Sequence, residues 1–321
     1  MDFTPRSVAA LLFVGLFALP AVAYGQSCCS STGSAQFGIV GRCQNTAFSV
    51  DLTHRQGVGS FGADGGYRSI GNAVVSDIVL KVGGGSRLGT DNWQFYGSLP
   101  IRRQHRDLGG LEPSTTVGLG DASVGMRWTV SQDLLSGIDT DDPQTWRPFV
   151  DLYLGAGLPT GRSYEQSEEP SLSDVMGVAS MGLEAGARVT KFVTESSVLI
   201  VDVSLGWRAS RDVVVAGETV QFDPGQESAL ALEWLELLTP RWSLGGGGGI
   251  RWTGRSREGG RFVVGSRSRR LQIQGYVTRT LVPMRSEMIV SLGSDAWWDQ
   301  GGRNVPFAGT RVSVGYRRYR F

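Results

Sequence analysis

The most informative segment of the sequence for the fold runs from Gly118 to Val130 and reads Gly-Leu-Gly-Asp-Ala-Ser-Val-Gly-Met-Arg-Trp-Thr-Val. From Ala122 onward every second residue is apolar, and the residues between them are small or polar. The run from Phe149 to Leu158 repeats this pattern. A period of two is typical of a β-strand with two unlike faces. Each run is about ten residues long, enough for a strand tilted by about 45° to cross a bilayer.

The same alternation recurs along most of the remaining chain. The further runs are 47–53, 72–82, 93–101, 179–189, 199–207, 229–235, 242–252, 271–278, 288–293 and 311–321. We therefore predict an all-β fold, a transmembrane antiparallel β-barrel of about 12 strands over residues 46–321. Arg127 in mid-strand agrees with a water-filled interior, since facing lipid at the midplane it would cost about 2–4 kcal/mol of folding free energy.

Long polar connectors alternate with shorter ones between these runs. The long connectors are 55–71, 102–117, 159–177, 208–227, 253–270 and 294–310, and the others are 83–92, 190–197, 236–241, 279–287 and the exceptional 131–147. Long outer loops and short periplasmic turns are typical of outer-membrane barrels, which predicts that both termini lie in the periplasm. A soluble β-sandwich would explain the alternation but would leave the apolar faces of so many strands uncovered.

The overall composition narrows the possible classes of protein. The 321 residues include 31 Lys+Arg against 30 Asp+Glu, so net charge indicates no nucleic-acid partner. After residue 23 no apolar run approaches the roughly 18 residues of a transmembrane helix. A helical membrane protein is therefore not expected.

The N-terminal residues indicate export. Residues 1–23 combine Arg6, an apolar core and a small-residue cleavage pattern, as in a signal peptide. Residues 24–45 then form a segment with Cys28, Cys29 and Cys43, in which one disulfide to Cys43 would close a loop of about 15 residues. This segment is either a mobile tail or a plug whose residues 26–45 narrow the periplasmic side of the lumen. No metal site or cofactor is predicted.

The C-terminal strand ends at Phe321, with Tyr319 and Tyr316 upstream. A final aromatic residue after alternating apolar residues resembles the strand that the outer-membrane barrel-assembly machinery recognises, so this machinery is a predicted partner. Because the two tyrosines are three residues apart, we expect the alternation to slip at a β-bulge.

The alternation also predicts which side chains face the lumen. They are Asp51, Asp77, Lys81, Arg102, Arg127, Asp151, Tyr153, Glu184, Arg188, Asp202, Glu233, Arg251, Gln272, Gln274 and Tyr276. The charges balance, which suits either an ion-pair network that supports the wall or a polar conduit that selects solutes. The glycine run 245–249 predicts sharp curvature or an aromatic ring, such as that of Tyr276, lying over a glycine.

Arginines are concentrated in the predicted outer loops. They are Arg102, Arg103, Arg106, Arg255, Arg257, Arg261, Arg267, Arg269 and Arg270. Their guanidinium groups would either bind lipopolysaccharide phosphates or remain solvated. A lipid-face histidine, His54, raises the alternative of an outer-membrane phospholipase, but no serine motif of that family accompanies it. We predict that the protein is not an enzyme.

Two motifs resemble a known family. Gly-Leu-Gly-Asp121 opens one strand, and the next ends in Leu-Pro-Thr-Gly161. This is similar to the meta-pathway phenol-degradation family of outer-membrane proteins. The resemblance implies passive transport of small, hydrophobic or aromatic molecules across the bacterial outer membrane. The alternative is a structural or surface-binding barrel with a plugged lumen.

Overall fold

The computed structural model describes residues 44–88, 92–130, 148–163, 166–178, 180–194, 196–215, 218–281, 285–296 and 302–320. The predicted signal peptide, the three cysteines, connector 131–147 and Phe321 lie outside these residues, so the predictions made for them remain predictions. Within the described residues, no helix is long and apolar enough to span a membrane.

Regular structure in the described residues consists of β-strands. In chain order they are β1 (Thr46–Phe61), β2 (Tyr67–Ser69), β3 (Val74–Leu88), β4 (Trp93–Asp107), β5 (Ser114–Leu119), β6 (Ala122–Thr129), β7 (Phe149–Leu158), β8 (Gly182–Phe192), β9 (Ser197–Arg208), β10 (Arg211–Val215), β11 (Glu218–Asp223), β12 (Glu227–Thr239), β13 (Trp242–Thr253), β14 (Arg257–Glu258), β15 (Arg261–Phe262), β16 (Ser268–Leu281), β17 (Ser286–Ser294), β18 (Gly302–Arg303) and β19 (Val305–Arg320).

Twelve of these strands close into a barrel. Their order around the ring is β1, β3, β4, β6, β7, β8, β9, β12, β13, β16, β17 and β19, and β19 pairs with β1. Every neighbouring pair is antiparallel. The predicted fold class and the count of twelve strands are confirmed.

The outer surface of the barrel is apolar, whereas much of its inner surface is polar. Leu154 and Leu205 are 44% and 66% exposed on the outside. Residues of opposite parity on the same two strands point inward, as Tyr153 and Asp202 do, and the Tyr153 hydroxyl donates to Asp202 at 2.7 Å. This arrangement suits lipid outside and water inside, because strand residues alternate between the two faces.

Several strands are longer than predicted. β1 continues to Phe61, β3 to Leu88 and β4 to Asp107, although the sequence assigned these segments to connectors. Their polar residues still pair across strands, as Arg55 does with Asp77. Hydrogen bonding to neighbours extends the barrel beyond its apolar band, and the hydropathy alternation does not report that extension. Two predicted loops also form a separate four-stranded sheet of β10, β11, β14 and β15.

The predicted bulge near the C-terminus is wrong. From Thr310 to Arg320, β19 pairs with β1 and β17 without a register shift. Tyr319 instead faces the interior and packs against Ala47. The shifts between β1 and β19 occur at the opposite end, around Gly59.

Candidate functional site in the barrel lumen

The end of the barrel that carries the longer connectors is called here the long-loop end, and the other is called the short-turn end. A cavity of about 590 Å³ lies inside the barrel. Of the predicted lumen residues, those that line it are Lys81, Tyr153, Glu184, Asp202, Glu233, Arg251, Gln272 and Gln274. Those that are not among its lining residues are Asp51, Asp77, Arg102, Arg127, Asp151, Arg188 and Tyr276.

One wall of the cavity is built from very small residues. They are Gly155, Gly157, Gly182, Gly206, Ala229, Ala231, Gly247 and Gly249, which lie on five consecutive strands from β7 to β13. These inward positions carry at most a methyl group, so the space in front of them stays open. The glycine run of β13 therefore contributes to the volume of the cavity.

Four tyrosine rings cover glycines on neighbouring strands. The pairs are Tyr96 with Gly125, Tyr153 with Gly186, Tyr276 with Gly245 and Tyr67 with Gly59. In each pair a methyl group added to the glycine would overlap the tyrosine ring. The predicted ring of Tyr276 over a glycine is confirmed. Such ring-on-glycine contacts cover exposed backbone and fix the strand register.

Buried ion pairs connect adjacent strands in the short-turn half. Arg127 donates to Asp151, which also accepts from Thr129 at 2.7 Å. On the next strands Arg188 Nε donates to Asp202 at 3.1 Å. Asp151 and Arg188 are fully buried. Buried charges must be paired, so these side chains support the wall.

An apolar cluster occupies the same half of the lumen. Its members are Phe149, Phe192, Val198, Ile200, Leu235 and Tyr276. The Phe149 and Phe192 rings meet edge to face with centroids 5.9 Å apart. Sequence reasoning missed this cluster except for Tyr276. The available signal was the continuous apolar run 198–201, which breaks the alternation expected of a strand with one wet face.

A second group of charges lies at the long-loop end. Asp295 Oδ2 accepts a hydrogen bond from the Arg55 guanidinium at 2.8 Å and lies 3.4 Å from Arg270 Nε. Asp77 accepts from Arg102 at 3.1 Å. Sequence reasoning missed Arg55 and Asp295 because both lie in segments predicted as connectors. The ion pair joins residues 240 positions apart, a separation that no local pattern reveals.

The connector between β7 and β8 is docked against the inner wall. Gln104 donates to the carbonyl oxygen of Val175 at 2.8 Å, and Arg102 donates to that of Met176 at 3.0 Å. The Met176 side chain is buried against Gly118. Arg102 and Gln104 are inward-facing residues of β4. The connector therefore narrows the mouth of the barrel on that side.

The two motifs that carried the family resemblance hold this connector in place. Asp121 accepts hydrogen bonds from the backbone N–H groups of Gly161 at 3.0 Å and Val178 at 2.8 Å. The Thr160 hydroxyl donates to the carbonyl oxygen of Gly120 at 2.6 Å. These bonds join both ends of the connector to the start of β6, so the motifs have a structural role here.

Within the connector, Asp174 is the central acceptor. It accepts from Arg162 at 2.9 Å, from the Glu168 backbone at 2.9 Å and from the Ser167 hydroxyl. Burial raises the pKa of Asp174, but the hydrogen bonds from Ser167, Glu168 and Arg162 together hold this pKa below its ordinary value. The carboxylate is therefore ionised at neutral pH and keeps the connector folded.

The two histidines lie apart from the cavity. His54 faces outward, with Ile78 and Val312 opposite it on the neighbouring strands. The Nδ1 atom of His105 lies 2.8 Å from the Thr115 hydroxyl oxygen. The expectation that the protein is not an enzyme remains a prediction.

The closed twelve-stranded barrel and its apolar outer band have the architecture of an outer-membrane β-barrel. The COG4313 outer membrane channel from Pseudomonas putida F1 has a similar fold, with a TM-score of 0.70 and 16% identity over 90% of this chain and all of that one. The transport unit of the autotransporter AIDA-I from Escherichia coli is less similar, with a TM-score of 0.49 and 8% identity over 98% of this chain and 97% of that one. The first similarity shows the fold, and nothing is inferred from the second.

No protein-family model matches the sequence, and the search of curated proteins gives no match. The predicted membership of the meta-pathway phenol-degradation family therefore stays a prediction, and so does the substrate that it implies.

Proposed function

We propose that this protein is a passive channel for small molecules in the bacterial outer membrane. The observation that carries the proposal is a cavity of about 590 Å³ inside a closed barrel whose outer face is apolar. The inward side chains along it are charged, polar, tyrosine, glycine or alanine. Charged groups that border an open space must be hydrated, so the cavity provides a wet path through part of the membrane.

The cavity favours small polar solutes. Arg311 on β19 and Glu184 on β8 both line it and are six strands apart in the ring of twelve, so they face each other across the lumen. Charges of both signs attract hydrated or dipolar molecules more strongly than apolar ones. The hydrophobic or aromatic solutes implied by the family resemblance remain a prediction that this lining does not favour.

Single-channel recording in planar bilayers tests the proposal. The wild-type protein should conduct ions, and Glu184→Gln and Arg311→Gln should shift the reversal potential in a salt gradient in opposite directions. The first change removes a cation-attracting charge and the second an anion-attracting one. Absence of conductance in protein that has assembled correctly would reject the channel.

A barrel with a plugged lumen and binding loops is the second candidate, and the apolar cluster in the short-turn half favours it. A double variant, Ile200→Ala with Leu235→Ala, separates the two functions because it removes apolar volume from that half alone. If the wild-type protein does not conduct and the variant does, the side chains of the apolar cluster plug the lumen. If both conduct, the path bypasses the cluster.

The N-terminal segment is tested separately. We propose that residues 26–45 narrow the periplasmic side of the lumen, so their deletion should raise conductance and leave assembly intact. Unchanged conductance would indicate a tail.

We propose that the barrel is oriented as in other outer-membrane barrels, with its long connectors facing the outside of the cell. Tags inserted at Glu168 and Gly259 should react with antibody on intact cells. Tags inserted at Thr194 and after Pro240 should react only after the outer membrane is opened. Labelling of the second pair of tags on intact cells would mean that the barrel has the opposite orientation in the membrane.

A further inference from the structure

Four arginines are clustered on the outer surface at the short-turn end. Arg279 lies on β16, Arg318 and Arg320 lie on β19, and Arg241 lies in the turn that precedes β13; we call these four residues the arginine patch. The strands β13, β16, β17 and β19 are consecutive in the barrel. All four are exposed.

The patch begins where the apolar band ends. Arg279 is paired with the outward-facing Trp242, and its guanidinium carbon lies 5.1 Å from the centroid of that ring. Arg318 is opposite Phe48, which is 52% exposed. Two residues along β19 from Arg318, Tyr316 also faces outward. The guanidinium groups therefore lie at the level where lipid headgroups meet acyl chains.

The outward face of this sector has no described carboxylate to neutralise the patch. Among the described residues, β13, β16, β17 and β19 contain one carboxylate, that of Glu287. Glu287 is buried and lies 3.5 Å from Arg317, which also faces inward. Four like charges at one interface repel one another, so an anion from outside the chain would stabilise them.

The patch is confined to one sector of the barrel. At the same end of β3, β4 and β6, the outward positions are taken by Leu88, Trp93 and Trp128. The two tryptophan rings are stacked with centroids 5.8 Å apart. An aromatic sector anchors a barrel to any bilayer interface. An arginine sector recognises negative charge in addition.

We propose that the arginine patch binds the headgroup of an anionic glycerophospholipid. Arginine matches phosphate because its planar fork donates two parallel hydrogen bonds to phosphate oxygens. The lipid's acyl chains lie along Val290 and Val314, which are exposed on the apolar band next to the patch. The site is independent of whether the lumen conducts.

Native mass spectrometry of the detergent-purified chain measures this binding. The probes are dioleoyl phosphatidylglycerol and dioleoyl phosphatidylcholine, which differ in headgroup charge. The triple variant Arg279→Gln, Arg318→Gln, Arg320→Gln should bind phosphatidylglycerol about 100-fold more weakly, since each arginine at a bilayer surface contributes about fivefold in affinity. Binding of phosphatidylcholine should change little.

Two further variants make the result specific. The matched control Arg103→Gln, Arg261→Gln, Arg267→Gln removes three exposed arginines at the long-loop end and should retain wild-type binding. Lysine at the three patch positions should restore part of the affinity, because it keeps the charge and loses the fork. Heat-dependent gel mobility verifies that each variant is folded.

Three outcomes would reject the proposal. The first is equal affinity of the wild-type protein for the two phospholipids. The second is an equal loss in the control variant. The third is stronger, patch-dependent binding of lipid A than of phosphatidylglycerol, which would assign the patch to lipopolysaccharide and therefore to the outer leaflet.

Discussion

The two halves of the lumen are lined by the same twelve strands and are filled differently. Towards the long-loop end, glycine and alanine positions leave a cavity bordered by charged side chains such as Glu184. Towards the short-turn end, Phe149, Ile200 and Leu235 are buried in an apolar cluster. Asp151 and Arg188 are fully buried there as well.

Closure of the barrel therefore does not decide whether its lumen is open. The volume of the inward side chains decides it, strand by strand. The short-turn half has the packing of a protein core, so we expect substitutions there to affect stability. The long-loop half has the surface of a hydrated site, so we expect substitutions there to affect the choice of solute.

The largest expected effect is from Asp151→Ala. The substitution leaves the Arg127 guanidinium buried without the Asp151 carboxylate that pairs with it. The free energy of unfolding should therefore fall by about 3–5 kcal/mol. Urea unfolding in lipid vesicles measures this. Glu184→Gln is the matched control in the other half and should change stability by less than about 0.5 kcal/mol. Equal losses in the two variants would contradict the comparison.

The next largest effect is expected when an arginine is introduced on the lipid-facing side of the barrel and compared with one on the lumen-facing side at a similar depth in the membrane. Leu154→Arg places a charge against lipid and should lower the free energy of unfolding by about 2–4 kcal/mol. Ala229→Arg places the same charge beside the cavity, where water is expected to hydrate it, and should cost about 1 kcal/mol or less. The same unfolding experiment applies. If the inward arginine is the more damaging, the cavity is not hydrated.

A smaller effect is expected from the ring-on-glycine contacts. In Gly245→Ala the new methyl group would overlap the Tyr276 ring. The ring must move, so the free energy of unfolding should fall by about 1–3 kcal/mol. Gly157→Ala is the control, because its methyl group would meet no atom closer than 3.9 Å. The thermal midpoint of the heat-dependent gel shift is a convenient measure of both.

The smallest effect concerns pH at the mouth of the barrel. Because hydrogen bonds hold the pKa of Asp174 below its ordinary value of 3.8, the ionised form favours the docked connector. This contribution is complete above the ordinary pKa and is lost as the pH falls through the lowered one. Cleavage of residues 159–178 by pepsin should therefore accelerate as the pH is lowered below about 3.8. Asp174→Ala should be cleaved rapidly throughout; a docked connector in this variant would exclude the carboxylate as its support.

The class of fold could be predicted from the alternation of apolar and polar residues. Lipid outside and water inside require opposite polarity on alternate residues, so the twelve strands and their outward faces could be identified from a period of two. Leu154 and Leu205 are examples, and both are exposed on the outside. The ring of Tyr276 over a glycine was predictable because a glycine run within a strand invites such a contact.

The filling of the lumen could not be predicted from the sequence, because it depends on contacts between distant strands. Whether Ile200 meets Leu235 in a dry cluster, or Glu184 faces open space, depends on which side chains the other strands direct into the same volume. The Arg55–Asp295 ion pair joins residues that are distant in sequence, and so do the hydrogen bonds between Asp121 and the β7–β8 connector. Local alternation reports the polarity of a face, and it carries no information on these contacts.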